Sequence, residues 1–124
     1  MEYHQKALAI REKVLGTEHP STATSYNNIG GVYDDQGDYG KALEYYQKAL
    51  AIKEKVLGTE HPSTATSYNN IGWVYREKKD YKTALDYYTK AYQILKKKLG
   101  DDHPNTKDVL KSINIVKKAL GLND

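Results

Sequence analysis

Cysteine is absent from the chain, which removes disulfides, thiolate nucleophiles and thiolate zinc sites together. Phenylalanine is absent too, and tryptophan occurs once. No apolar run approaches the ~20 residues that a helix needs to cross a bilayer, and no basic-then-apolar leader opens the sequence. The expectation is a cytoplasmic protein without a membrane segment. No glycine-rich phosphate loop or nucleophile elbow occurs. The adjacent acids Asp34 and Asp35 would point in different directions on a helix, so no pair of carboxylates converges for acid–base work. The reading is therefore non-enzymatic, with no catalytic residue, no cofactor and no metal expected.

Aromatic content is concentrated in twelve tyrosines. A tyrosine can bury its ring while its hydroxyl reaches a carbonyl or water at the edge, which suits a thin layered structure where few side chains lie far from solvent. Formal net charge is +3, unevenly placed. Residues 1–44 carry four Lys/Arg against seven Asp/Glu, residues 45–86 seven against five, and residues 87–124 eight against four. Nucleic-acid binding would need a basic stripe interleaved with stacking aromatics. The basic tail supplies charge, but the tyrosines fall at packing positions, so nucleic acid is not the expected partner.

The dominant feature is an internal duplication. Residues 3–44 and 45–86 share 32 identities over 42 positions without a gap, and the run 12–30 returns whole as 54–72. A third, diverged copy begins at Tyr87 and keeps Gly100, His103, Pro104 and Thr106 in register. A fixed period of this size implies stacked units, none of which can bury its apolar face alone.

Within the period the apolar spacing is helical. A first helix is expected over 2–15, with Tyr3, Ala7, Ile10 and Val14 inward, ended by Gly16. Pro20 is welcome as a first helical residue, so a second helix is expected over 20–36, with Ala23, Tyr26, Ile29, Gly30 and Tyr33 inward. Glycine in mid-helix costs on the order of 1 kcal/mol relative to alanine. The recurrence of Gly30 as Gly72 therefore points to a close helix crossing. Asp38 is placed to cap a helix over 39–57, which carries Ala42, Tyr46, Ala49, Leu50, Ile52 and Val56. The cycle repeats over 62–78 and 81–99, with Lys79 in the place of Gly37, where a strained or altered turn is expected. The last helix, 104–120, has an apolar stripe of Val109, Leu110, Ile113, Val116 and Leu120, and lysines on its other side. That is the pattern of a terminal cap. The result is about six helices in one array over 1–124: a half repeat, two full repeats over 20–57 and 62–99, and a capping helix.

These residues resemble the tetratricopeptide signature. Tyr26, Ile29, Gly30, Tyr33, Gly37, Asp38, Tyr39, Ala42, Tyr46, Ala49 and Leu50 follow its pattern, and Tyr68, Ile71, Gly72, Tyr75, Tyr81, Ala84, Tyr88 and Ala91 follow it again. The period of 42 residues exceeds the usual ~34 and brings a Gly-Thr-Glu-His-Pro linker and a paired Asn-Asn. In this the chain is similar to the repeats of kinesin light chains, and the near-identity of its repeats reads either as an excerpt of a longer array or as a consensus design for folding studies with no ligand of its own. The resemblance implies an all-α, right-handed solenoid of antiparallel helix hairpins. It also implies a scaffold for protein–protein interaction whose first-of-pair (A) helices line a concave groove for a peptide segment of a partner.

Carried over position by position, the groove residues are Thr24, Asn27, Asn28, Gly31, Asp34 and Asp35 in the first full repeat. In the second they are Thr66, Asn69, Asn70, Trp73, Arg76 and Glu77, and the cap adds Lys111. Asparagine amides offer both donors and acceptors to a peptide backbone, although the same residues could bond between adjacent helices instead. Trp73, which replaces Gly31 of the preceding repeat, is an interface anchor, a packing residue against the cap through Ile115 or Lys111, or a deliberately inserted fluorescence probe. His19, His61 and His103 recur at the period, but no local ligand pair accompanies them, so linker capping before proline is expected. The competing architectural reading is head-to-tail or swapped self-association, in which the unpaired first helix of one copy meets the cap of another.

Overall fold

The computed structural model describes residues 19–122; the expected helix over 2–15 lies outside them. Among the described residues every regular element is an α-helix. The chain divides into two compact units, Met1–Thr59 and Glu60–Asp124. The first contains α1 (Pro20–Asp35) and α2 (Tyr39–Val56), and the second contains α3 (Pro62–Glu77), α4 (Tyr81–Leu99) and α5 (Pro104–Ala119).

In the first unit, α1 starts at a built cap. His19 is extended and its Nδ1 accepts from the Ser21 N–H at 3.0 Å, while Pro20 takes the first helical position. The helix ends where Gly37 turns left-handed, with φ +79°. The Gly37 N–H donates to the Asp34 carbonyl and the Asp38 N–H to the Tyr33 carbonyl, both at 2.9 Å, which satisfies the last carbonyls. Asp38 then caps α2 by accepting from the Lys41 N–H. The turn is so short that α1 and α2 pack antiparallel along their length. Ala23, Tyr26 and Ile29 meet Ala49 and Ile52, and Tyr33 and Tyr45 close the edge. Burying an isoleucine of this kind contributes roughly 1.5–3 kcal/mol.

One expectation about α2 needs correction. Val56 is 45% exposed, whereas Lys53 is buried at 8%. Val56 is the last residue of its helix, and a lysine can bury its long apolar stem while its charged end stays near water. Burial pushes the Lys53 ammonium below its usual pKa.

The second unit repeats the hairpin and adds a helix. His61 and His103 cap α3 and α5 as His19 caps α1, with Nδ1 accepting from the Ser63 N–H at 3.0 Å and from the Asn105 N–H at 3.1 Å. Asp80 caps α4 through the Thr83 N–H. Lys79 adopts φ +66°, and its turn repeats the Gly37 hydrogen bonds: Lys79 N–H to Arg76 carbonyl and Asp80 N–H to Tyr75 carbonyl, both at 2.9 Å. The turn keeps its shape and carries the strain. Tyr88 is fully buried with its ring against Gly72 of α3, and Val109, Ile113 and Val116 seat α5 on α4. Leu110 and Leu120, expected in that stripe, are instead 39% and 37% exposed. Leu110 is one residue, or about 100°, round from Val109, and Leu120 is the cap residue at the helix end.

Candidate peptide-binding surface

The candidate residues are presented by α1 and α3, whose orientation is set from the opposite side. Gly30 and Gly72 lie against the rings of Tyr46 and Tyr88: a Cβ on Gly30 would stand 2.8 Å from Tyr46 Cδ1, and one on Gly72 3.0 Å from Tyr88 Cδ1. Pressing backbone onto ring brings each hairpin close and turns the three-and-four spaced polar positions outward on one face.

In the first unit that face carries Thr24, Asn28 and Asp35 exposed, and Asn27, Gly31 and Asp34 half-buried. Asn27 Oδ1 is buried without a hydrogen-bond partner. At Gly31 an added Cβ would reach the Tyr46 hydroxyl at 3.5 Å, ordinary contact, so this position tolerates a side chain.

In the second unit Thr66 is exposed, and Asn69, Asn70, Arg76 and Glu77 are half-buried. Asn69 Oδ1, at the register position of Asn27, is likewise buried without a partner. Leaving such an acceptor unmade costs about 1–3 kcal/mol. Trp73 is 41% exposed. The Arg76 guanidinium lies 4.1 Å from the centre of its ring, a cation–π contact worth roughly 0.5–1 kcal/mol at an exposed site. Lys111 is exposed on α5.

Thr66 and Asn69 also line an open cleft of about 250 Å³, together with Leu95 of α4 and Asn105, Asp108 and Val109 of α5. Asp108 and Asn105 are absent from the sequence-derived set. The signal was available, since Asp108 stands one period after Thr66, but α5 diverges too far for that register to announce itself.

The three linker histidines use Nδ1 for capping, and among the described residues no three His, Cys, Asp or Glu side chains gather where an ion could be held. No described helix is long and apolar enough to cross a membrane.

The tetratricopeptide repeat family model matches residues 2–55 and 36–97. The chain belongs to that family. Comparison with curated protein sequences gives no match. Among solved structures it is similar to BtubC (BKLC) from P. vanneervenii, with TM-score 0.89 and 25% identity over 97% of this chain and 48% of that one. It is also similar to the kinesin light chain-like, nearly identical TPR-like repeats of Podosopora anserina and to a variant of them. Each of these aligns with TM-score 0.86 and 27% identity over 97% of this chain and 57% of theirs. The chain thus spans about half the length of these neighbours, which share its all-α, TPR-like solenoid fold, the fold of a protein–protein interaction scaffold.

Proposed function

We propose that this chain is a non-enzymatic scaffold that binds a peptide segment of a partner protein through the outward faces of α1 and of α3, one in each unit. The observation that carries the reading is the pair of amide oxygens, Asn27 Oδ1 and Asn69 Oδ1, buried and unpartnered at one register position in two successive repeats. A peptide N–H is the group that relieves such an acceptor. Trp73 supplies the anchor: a large, part-exposed ring, held in orientation by Arg76, is the residue type that dominates binding at interfaces. Thr24, Asn28, Gly31 and Asp34 complete the surface of the first unit, and Asn70 and Lys111 that of the second. The absence of cysteine fits a reducing compartment, and we assign the chain to the cytoplasm.

The test is a titration of a peptide library followed by Trp73 emission, repeated with Asn27→Ala and Asn69→Ala. Binders are expected to weaken about fivefold or more in each variant, the loss of one buried hydrogen bond. Hits whose affinity neither substitution changes would place the ligand elsewhere. Sedimentation at several protein concentrations addresses self-association through the exposed Leu110, Ile115 and Leu120 of α5; a monomer throughout removes that reading.

A further inference from the structure

We propose that the cleft between α3, α4 and α5 is a subsite for one basic side chain, arginine or lysine, of the bound peptide; this rests on the peptide-binding reading above. Its size sets the scale of the occupant. At about 250 Å³ and open, it falls below the roughly 300–1,000 Å³ of sites for drug-sized ligands, and it suits a single long side chain.

Its polar lining is rich in acceptors. The Thr66 hydroxyl spends its proton on the Pro62 carbonyl at 3.3 Å and so turns lone pairs outward. Asn69 Oδ1 is buried and unpartnered. Asp108 lines the cleft and is exposed, and among the described residues no ion pair engages its carboxylate. Arginine and lysine carry donors only, and their hydrogen bonds to a carboxylate are charge-assisted. The apolar lining is equally suited: Leu95 and Val109, each almost fully buried, offer a surface for the methylene stem while the charged end stays at the polar rim. An acidic side chain would instead meet the Asp108 charge.

Two of the lining residues are particular to this copy of the repeat. One period earlier in sequence, Asp108 is Thr66 and Leu95 is Lys53.

The experiment uses the whole chain, labelled for NMR, and four capped pentapeptides Ala-Ala-Xaa-Ala-Ala with Xaa arginine, lysine, norleucine or glutamate. The arginine and lysine peptides should saturably shift the side-chain amide signals of Asn69 and Asn105. The norleucine peptide should bind about tenfold more weakly, and Asp108→Asn should weaken the basic peptides by a similar factor, the loss of a hydrogen bond to a charged group. Asp108 is exposed, so the variant keeps the fold. Equal binding of the norleucine or glutamate peptide at these amides, or no effect of Asp108→Asn, overturns the basic subsite but leaves peptide binding intact. Shifts confined to Asn27, Asn28 or Trp73 do the same. No shift with any of the four peptides overturns the subsite and removes support from the groove as well.

Discussion

The ring of Tyr46 occupies the space that a side chain at residue 30 would need. A Cβ on Gly30 would stand 2.8 Å from its Cδ1, 2.9 Å from its Cε1 and 3.2 Å from the Ala42 carbonyl oxygen. The same relationship holds in the second unit between Gly72 and Tyr88, with slightly more room at 3.0 Å. Tyrosine on α2 or α4 and glycine on α1 or α3 are thus one packing unit, and the glycine is retained against its helix propensity.

Gly30→Ala gains ~1 kcal/mol of helix propensity but overpacks the crossing, which typically costs about 1–3 kcal/mol. A net loss of about 1 kcal/mol is expected, smaller for Gly72→Ala. Gly40 is the control: it lies in α2 with nothing within 4 Å of its would-be Cβ. Gly40→Ala should stabilise by several tenths of a kcal/mol. Urea midpoints of the three variants check the order, and a stabilised Gly30→Ala would show that the contact is soft.

Lys79 pays for a left-handed backbone that Gly37 adopts freely. Its φ of +66° reproduces the Gly37 turn hydrogen bond for hydrogen bond, so substitution changes strain and little else. Lys79→Gly should stabilise by about 0.5–1 kcal/mol, the left-handed penalty less the added freedom of the unfolded chain. That corresponds to a rise of roughly 2–5 °C in Tm. Gly37→Lys should do the reverse, and a fall in Tm for Lys79→Gly would mean that the side chain holds the turn in some other way.

How much of this was legible in the sequence depends on which rule each residue obeys. The duplicated glycines announced the close crossing, because a helix tolerates mid-helix glycine only for a local reason, and Ala23, Ile29, Ala42 and Ala49 followed the helical spacing into the core. Position along a helix was harder to read: Val56 fits the stripe of α2 but is the last residue of that helix. Buried polar residues were illegible. Thr22, Thr64 and Thr106 are fully or almost fully buried, yet a threonine in a first turn reads as surface. Lys53 looks like a solvated lysine until its neighbours are in place. The cleft escaped for a further reason: it needs three helices, one of them the diverged α5, and no single segment carries its pattern.

The histidine before each linker proline is a helix cap. Its Nδ1 accepts one of the orphan N–H groups of the first turn, and the backbone carbonyl of His61 still accepts from Thr64 and Ala65. His61→Ala should therefore cost about 1 kcal/mol, the usual value of a side-chain cap. His61→Asp or His61→Ser should recover most of it, because each restores an acceptor at the same place. Thermal unfolding distinguishes this from a ligand role, since recovery by aspartate and serine alike identifies a hydrogen-bond acceptor rather than an imidazole requirement.

Tyr88 gives the fold an alkaline limit. Burial pushes its phenol pKa above the ordinary tyrosine value; the Arg76 charge and the Ser112 hydroxyl oppose that effect without reversing it. The folded state therefore holds the phenolic proton more tightly than the unfolded state does. Stability should be flat below the unfolded tyrosine pKa of ~10 and fall as pH rises through and above it. Tyr75, whose pKa burial also raises, adds to the same slope. Tyr88→Phe keeps the ring against Gly72 and removes the ionisation. Its urea midpoint should fall less than that of the parent chain between about pH 9 and pH 11. Equal slopes in the two proteins would show that the phenolate of Tyr88 finds solvent in the folded state, and would place the alkaline limit on the remaining tyrosines.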